Sequence, residues 1–267
     1  MQRLKESIRG KLPRPLLMAY RWNRALLRRW QYRGSQYYCN VCDARLSDWI
    51  FAGPRDHGNR VCPVCHSYGR QRLLALVLER ELSVNQSDAS GNGKLLHFAP
   101  EIGLQRWIRR HFPLQTYVSA DLSSSEADIS LDVQSIDLPD ESIYAMLLSH
   151  VLEHVENDVL ALREMHRVLT PGGRLFVQVP VGRAIVTQEE HLDTPELRRE
   201  RYGKTDHVRL YGEDILARLS NVGFRVTTYR ANDAIFGSKR DYMALDIPSG
   251  STMLYASESN TYVCHKD

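Results

Sequence analysis

The sequence predicts an α/β fold whose sheet is mostly parallel. Four short apolar runs lie between Lys94 and Val181, and helical patterns separate them, which favours a series of βα units over a sandwich or a bundle. The runs are KLLHFA (94–99), YVSAD (117–121), YAMLLS (144–149) and RLFVQVPV (174–181). Ligands of such sheets bind at the carboxyl ends of the strands, so the polar residues that follow these runs are expected to face one crevice.

Two later runs are expected to complete the sheet as an antiparallel edge pair. They are FRVTTYR (224–230) and NTYVCHK (260–266). The chain of 267 residues has room for one sizeable domain and a smaller module, and residues 92–267 are assigned to the sheet domain.

Residues 1–34 are expected to form a basic helical arm. The segment holds ten Lys and Arg residues and one acid, Glu6, whereas the whole chain has a net charge of +3. Arginines interleaved with Trp and Tyr suit RNA or an anionic membrane surface, and a solvated basic helix that binds nothing is equally open. No apolar run is long enough to span a bilayer and no secretory signal is apparent, which predicts a cytoplasmic protein without a transmembrane segment.

Two CxxC pairs predict a zinc ribbon in residues 35–69. CNVC (39–42) and CPVC (62–65) are separated by nineteen residues, close to the spacing of a four-cysteine ribbon. Four thiolates would close a tetrahedral site, so the zinc would be structural; a redox role for the pairs is the alternative. The expected ligands are Cys39, Cys42, Cys62 and Cys65. Residues 70–91 are expected to hold a connecting helix and a linker.

The turn after the first run, FAPEIG (98–103), is expected to meet the charged part of a ligand. It has a single glycine and is a weak signal by itself. Asp121 ends the second run, at a position where a carboxylate typically receives ribose hydroxyls. Asp132 follows the expected third strand and could accept a hydrogen bond from an adenine amine, with the backbone N–H of Val133 facing a ring nitrogen. Each acid taken alone is more commonly an exposed loop carboxylate, but their order after successive strands favours a site.

These motifs together resemble the class I S-adenosylmethionine-dependent methyltransferases, and are closest to the methyltransferase type 11-like group. The resemblance covers about residues 92–267 and depends on the order LLHFAPE, SAD, LDVQSIDLPDESI, LLSHVLEHV and LREMHRVLTPGGRLFVQVPV. It implies a Rossmann-like sheet with an antiparallel last strand, and S-adenosylmethionine as cofactor.

The resemblance also implies roles for residues of the crevice. Asp121 would bind the ribose, and Asp132 with Val133 the adenine. The remaining residues would line the methionine moiety and the sulfonium: Phe98, Ala99, Pro100, Glu101 and Gly103 in the first turn, and Ser149 and His150 after the fourth strand. The turn departs from the usual glycine-rich pattern, because Pro100 has no backbone N–H to donate.

The segment HVLEH (150–154) also fits the HxxEH pattern of inverted zincin metalloproteases. It directly follows an apolar strand, and no third ligand stands at a telling spacing in the sequence. We therefore expect Glu153 and His154 to orient the turn and to cap backbone groups, rather than to bind metal.

A long polar segment, 182–212, is expected to cover the acceptor side of the crevice. Within it, Asp206, His207 and Arg209 are candidate catalytic residues together with His150. A histidine could act as general base, Asp206 could orient an imidazole, and Arg209 could hold an anionic group of the acceptor. The alternative is that this DHVR segment only pins the helix that follows it.

Two classes of function remain open at this level. The first is an enzyme that methylates an unidentified acceptor, either a small molecule or a glycan-type substrate, with a structural zinc ribbon in front. The second is a zinc-ribbon protein that binds RNA, or an RNA methyltransferase guided by the ribbon. RNA binding by the ribbon and arm would be sensitive to salt, whereas the enzyme must bind the cofactor.

Overall fold

The computed structural model describes residues 14–52, 59–83, 93–112, 117–123, 127–245, 255–257 and 260–267. The strands are β1 (Arg33–Cys39), β2 (Ala44–Leu46), β3 (Ile50–Ala52), β4 (Asn59–Val61), β5 (Leu95–Phe98), β6 (Tyr117–Asp121), β7 (Ile129–Ser130), β8 (Ile143–Ser149), β9 (Leu169–Gln178), β10 (Val181–Gly182), β11 (Arg225–Tyr229), β12 (Tyr255–Ser257) and β13 (Thr261–His265). The helices are α1 (Arg14–Gln31), α2 (Gly69–Ser83), α3 (Ile102–His111), α4 (Asp158–Val168), α5 (Pro195–Tyr202), α6 (Ile215–Asn221) and α7 (Lys239–Tyr242).

The main sheet has seven strands in the order β11-β13-β9-β8-β5-β6-β7. Neighbouring strands from β9 to β7 pair in parallel, and β13 pairs antiparallel with both β9 and β11. The predicted fold class, a mostly parallel sheet with an antiparallel last strand, is confirmed. One detail differs: β13 lies inside the sheet and β11 forms the edge, so β13 alone runs against the others.

The central strands of the sheet are buried on both faces, which explains why they read as continuous apolar runs. Every residue of β8 except Tyr144 is buried. Helix α4 packs beside β9 and begins where the Asn157 side chain accepts a hydrogen bond from the Leu160 N–H at 2.9 Å. It ends at Val168, and the extended backbone of Leu169 begins β9.

The cysteine-containing segment shares its hydrophobic core with the sheet domain. Trp49 and Leu46 belong to the same buried cluster as Leu73 and Leu74 of α2 and Leu104 of α3. Helix α2 is buried along its first half, from position 71 to position 78. The expected connecting helix is therefore a core helix, since it buries apolar surface against both parts of the chain.

Arg72 ties these parts together from a fully buried position. Its guanidinium donates to the carbonyl oxygens of Ser67 (2.6 Å), Met243 (2.6 Å), Ala244 (2.8 Å) and Arg60 (2.8 Å), and stacks 4.2 Å from the centre of the Trp49 ring. Four carbonyl acceptors and an aromatic face replace the water that this buried cation loses.

The expected linker lies largely outside the described residues, as does the start of the basic arm. Domain boundaries at positions 34, 69 and 91 remain predictions. Among the described residues, no helix combines the length and apolarity needed to cross a membrane.

Candidate active site

The turn after β5 has an unusual backbone at Ala99. Its φ is +47°, in the left-handed region that favours glycine, and its N–H donates to the Ala120 carbonyl of β6 at 2.8 Å. The sheet hydrogen bond thus holds the strained turn at the carboxyl ends of β5 and β6. Phe98 packs in the core and is 2% exposed, and its contact with the cofactor remains a prediction.

Glu101 lies next to a buried histidine that the sequence analysis did not single out. Its Oε2 is 3.6 Å from His97 Nε2, and His97 Nδ1 is 3.0 Å from the Tyr117 hydroxyl. Burial raises the pKa of the Glu101 carboxyl, but His97, Arg70 and Gln71 lower it by more, so its pKa falls below the ordinary value. His97 was missed because a single histidine inside an apolar run looks like a core residue.

Glu101 and Gly103 line a cavity of about 460 Å³ between α1, the cysteine segment and the turn. Its wall is strongly basic, with Arg24, Arg28, Arg70 and Arg106. The buried Nε of Arg70 and Oε2 of Glu101 have no hydrogen-bond partner among the described residues. These two atoms are available to a ligand that carries both a negatively and a positively charged group.

Gly103 is in contact with the cysteine segment. A Cβ at this position would lie 3.2 Å from the Cys65 carbonyl oxygen and 3.6 Å from Val41 Cγ1. The missing side chain is therefore explained by the packing of the cysteine segment on the first turn of α3. Its predicted contact with the cofactor remains a prediction.

Asp121 ends β6, and Asp132 follows the neighbouring strand β7. Asp121 Oδ1 accepts a hydrogen bond from the Ser123 N–H at 2.8 Å, and Asp132 Oδ1 accepts one from the Gln134 N–H at 2.8 Å. Each carboxylate is thus oriented by its own turn. The side chain of Val133 is buried, so its predicted adenine contact would be made through the backbone.

Ser149 and His150 lie at the carboxyl end of β8. The Ser149 hydroxyl donates to Gln178 Oε1 at 3.2 Å, and Gln178 Nε2 donates to the Arg70 carbonyl at 3.0 Å. The amino-terminal end of α2 is thereby fixed over the ends of β8 and β9. His150 has a φ of +57°, and its N–H donates to the Gln178 carbonyl at 2.8 Å.

The turn after His150 meets the DHVR segment. One ring nitrogen each of His154 and His207 and one carboxylate oxygen of Glu153 lie within 4.8 Å of one another. His150 Nδ1 is 3.0 Å from Glu153 Oε1. Burial raises the pKa of the Glu153 carboxyl, but His150 and its other neighbours lower it by more, so its pKa is below the ordinary value. Burial lowers the pKa of His207, which favours its neutral ring.

Arg209 holds the turn rather than facing the crevice. Its guanidinium is 4% exposed and donates to the carbonyl oxygens of Leu152, Val155 and Glu156. These contacts favour the alternative in which Arg209 pins backbone. Asp206 is exposed, and its Oδ2 lies 3.3 Å from Nδ1 of His154, not of His207.

The four predicted zinc ligands come together. The Sγ atoms of Cys39 and Cys65 are 3.7 Å apart, as are those of Cys42 and Cys62, and all four lie within 4.8 Å of one another. Sulfur atoms bound to one tetrahedral zinc at about 2.3 Å are separated by about 3.8 Å, so the cluster fits this ion. None of the cysteines forms a disulfide in the described part of the chain.

Comparisons with known proteins agree with this architecture. Residues 104–177 match the family model described as a methyltransferase domain. This segment of the chain is thus similar to methyltransferase domains. Its structure resembles that of the CurJ carbon methyltransferase with a TM-score of 0.50 and 14% identity, over 73% of this chain and 54% of that one. This chain therefore spans about half the length of that protein.

Two further solved methyltransferases show a weaker likeness. An S-adenosylmethionine-dependent enzyme of Archaeoglobus fulgidus has a TM-score of 0.46 and 12% identity, over 73% of this chain and 93% of that one. Phosphoethanolamine N-methyltransferase 2 of Haemonchus contortus, solved with S-adenosyl-L-methionine, has a TM-score of 0.44 and 14% identity, over 74% and 57% of the two chains. A search of curated proteins gave no match.

The match of residues 104–177 to the methyltransferase model supports an enzyme. Asp121 and Ser149 end β6 and β8, Asp132 follows β7, and β5 lies between β8 and β6 in the sheet. The roles of these residues remain predictions. His97 and Arg70 are the neighbours of Glu101 that sequence reasoning missed. The RQR segment around Arg70 gave a signal, because two arginines follow the cysteine segment at the start of an apolar helix.

Proposed function

We propose that the protein transfers a methyl group from S-adenosylmethionine to an acceptor that is a small molecule or a glycan-type substrate. The main support is the match of residues 104–177 to a methyltransferase model, together with the positions of Asp121, Asp132 and Ser149 at the carboxyl ends of β6, β7 and β8. Ligands of an open α/β sheet bind at this edge.

The cavity beside the first turn suits the amino-acid end of this cofactor. Glu101 and Arg70 line it with opposite charges, and each has a buried atom that lacks a partner among the described residues. A carboxylate can receive an ammonium group and a guanidinium can receive a carboxylate. Asp121 would accept the ribose hydroxyls, and Asp132 with the Val133 backbone would contact the adenine.

When bound, the cofactor supplies an electrophilic methyl group. The protein's own task is to align the acceptor atom and to remove its proton where necessary. His150 is best placed for this task, since it follows β8 directly and its imidazole lies 3.0 Å from the Glu153 carboxylate. That carboxylate would stabilise the imidazolium formed when His150 takes the proton.

Calorimetric titration of the full-length protein with S-adenosylmethionine and S-adenosylhomocysteine tests this proposal. We expect one ligand per chain and at least a roughly 10-fold loss of affinity in Asp121→Ala, because hydrogen bonds to a charged group are removed. Asp137→Ala, which removes an exposed carboxylate of the same domain, should bind like the wild type. The proposal fails if folded protein binds neither compound at millimolar concentration, or if both variants behave alike.

A second candidate is RNA binding or RNA methylation, with peripheral membrane contact as a further alternative for the basic arm. Its support is the basic cavity, where Arg24 and Arg28 of α1 approach Arg70 and Arg106. A single-stranded RNA oligonucleotide would then bind with an affinity that falls steeply between low and moderate salt, and more weakly to Arg24→Ala/Arg28→Ala. Binding that is insensitive to both changes would contradict it.

A further inference from the structure

A second group of side chains of the types that bind metals lies near the turn that follows β8. Glu153 and His154 belong to the short 3-10 turn Leu152–His154, and His207 comes from the insertion after β10. The backbone N–H of Val208 donates to the Glu153 carbonyl at 2.9 Å, which fixes the two segments side by side. The sequence around HxxEH offers no third ligand at a telling spacing. His207, more than fifty residues further along the chain, completes the group in the structure.

The group contains buried polar atoms whose needs are not met. Glu153 is completely buried and His207 is 1% exposed. Within the described residues, the two carboxylate oxygens of Glu153 and the Nε2 atom of His207 lack a hydrogen bond of good geometry. His150 Nδ1 approaches Glu153 Oε1 to 3.0 Å. Leaving such groups unsatisfied is unfavourable, more so for a carboxylate, and a bound cation would satisfy all of them at once.

Both histidines have the outer contacts that are typical of metal ligands. His207 Nδ1 lies 2.8 Å from the Tyr202 carbonyl, and His154 Nδ1 lies 3.2 Å from the Asp206 carbonyl and 3.3 Å from its carboxylate. A metal-bound imidazole usually donates its other N–H to a carbonyl or carboxylate in this way. These contacts assign the proton of each ring to Nδ1 and leave Nε2 with a lone pair that can bind a metal ion.

We propose that Glu153, His154 and His207 bind one divalent transition-metal ion of the zinc type, in addition to the ion of the four-cysteine cluster. Two imidazoles and a carboxylate match zinc and its neighbours in the first transition row rather than magnesium or calcium, which prefer oxygen ligands. The ligand atoms lie within 4.8 Å of one another. Binding at about 2.1 Å requires separations of about 3.4 Å, so shifts of about an ångström complete the site.

The site is open on one side. His154 also lines a cavity of about 520 Å³ whose wall includes Tyr202 and Arg209. Three protein ligands leave at least one coordination position, which water or an oxygen atom of a bound molecule takes. Metal binding does not depend on methyl transfer, and the two proposals are tested by different ligands.

The test is the zinc content of the full-length protein. Wild type and variants are dialysed against excess zinc chloride and desalted, and zinc per chain is measured by mass spectrometry of the ashed protein. We expect two zinc ions per chain in the wild type and one in Glu153→Gln, which keeps the side-chain shape, and in His207→Ala. His191→Ala removes an exposed histidine of the same insertion and should keep two.

Three results would overturn the proposal: a wild type that retains a single zinc, a second zinc that survives in both Glu153→Gln and His207→Ala, or its loss in His191→Ala. Circular dichroism confirms that each variant is folded. Should the buried variants not fold, His154→Ala decides the question, because this ring is partly exposed and its removal disturbs the core least. Retention of two zinc ions by that variant is then the negative result.

Discussion

The four-cysteine cluster and the Glu153–His154–His207 group both gather potential metal ligands that are mostly buried, but they differ in how they are built. The cysteines are identical ligands from two CxxC pairs, and their segment packs into the core against α2 and α3. The second group combines a carboxylate with two imidazoles and lies beside a cavity. Four thiolates leave no open coordination position on a zinc ion, whereas three mixed ligands leave at least one. The first site therefore suits an ion that stabilises the fold, and the second suits an ion that also binds another molecule.

The largest effect is expected at the cysteine cluster. Cys62→Ser should lose one zinc per chain and several kcal/mol of stability, because metal binding supplies much of the folding free energy of so small a segment. Thermal unfolding with and without a chelator measures the loss. Cys264→Ala removes a buried cysteine that is remote from the cluster, and should cost about 1 kcal/mol without any change in zinc content. Equal melting of the two variants would mean that the cysteines hold no structural ion.

A smaller effect is expected beside the second group. Asp206→Asn removes the carboxylate that lies 3.3 Å from His154 Nδ1, and should weaken zinc binding at this group about 10- to 100-fold, with the cysteine cluster unchanged. Competition with a chromophoric chelator measures both sites. The matched variant Asp193→Asn loses a carboxylate that pairs with the exposed His191, and should bind zinc like the wild type. Identical affinities of the two variants would show that Asp206 supports no metal ligand.

The smallest effect is expected at an ion pair that touches neither cluster. Hydrogen bonds from Arg167 hold the pKa of Glu164 below its ordinary value of 4.5, and Glu164 also accepts from the Ile136 N–H at 3.0 Å. A carboxyl whose folded pKa is depressed stabilises the protein above its unfolded pKa, and this contribution is lost as the pH falls through the folded pKa. Glu164→Gln should therefore cost about 1 kcal/mol at pH 6, and progressively less below pH 4.5.

Urea unfolding between pH 6 and pH 3 follows this difference. Glu200→Gln removes an exposed carboxylate of α5 and should show no such pH dependence. A constant difference between wild type and Glu164→Gln across this range would contradict the assignment. Zinc content should stay at the wild-type value in both variants, which separates the stability of the sheet from that of the two clusters.

Much of the sheet was predictable because each strand is a local pattern. The runs at 94–99, 117–121, 144–149 and 174–181 became strands, since continuous apolar sequence is what a sheet covered on both faces requires. The exact neighbours of β13 were not predictable, because strand order depends on how distant segments pack. The CxxC pairs also belong to the local kind of signal, since each presents two thiols from a single turn.

The acceptor side was harder to predict. The sequence places Asp206 beside His207, yet the structure brings Asp206 to His154 and leaves Nε2 of His207 facing Glu153 and His154. Arg209 looked like an anion-binding residue and is instead used by three backbone carbonyls. Side-chain direction within a polar insertion is set by the surface on which it packs, and no local periodicity records that.

The sequence by itself determined the α/β class, the order of the crevice motifs and the grouping of the four cysteines into two CxxC motifs. Apolar periodicity and short spacings act within a few turns of chain. Only the tertiary structure decided that Arg72 joins the cysteine segment to residues 243 and 244, and that Arg70 and Glu101 line one cavity. It also decided that His207 completes a group with Glu153 and His154. Each of these contacts joins residues far apart in sequence, and burial on folding is what makes their charges and lone pairs depend on one another.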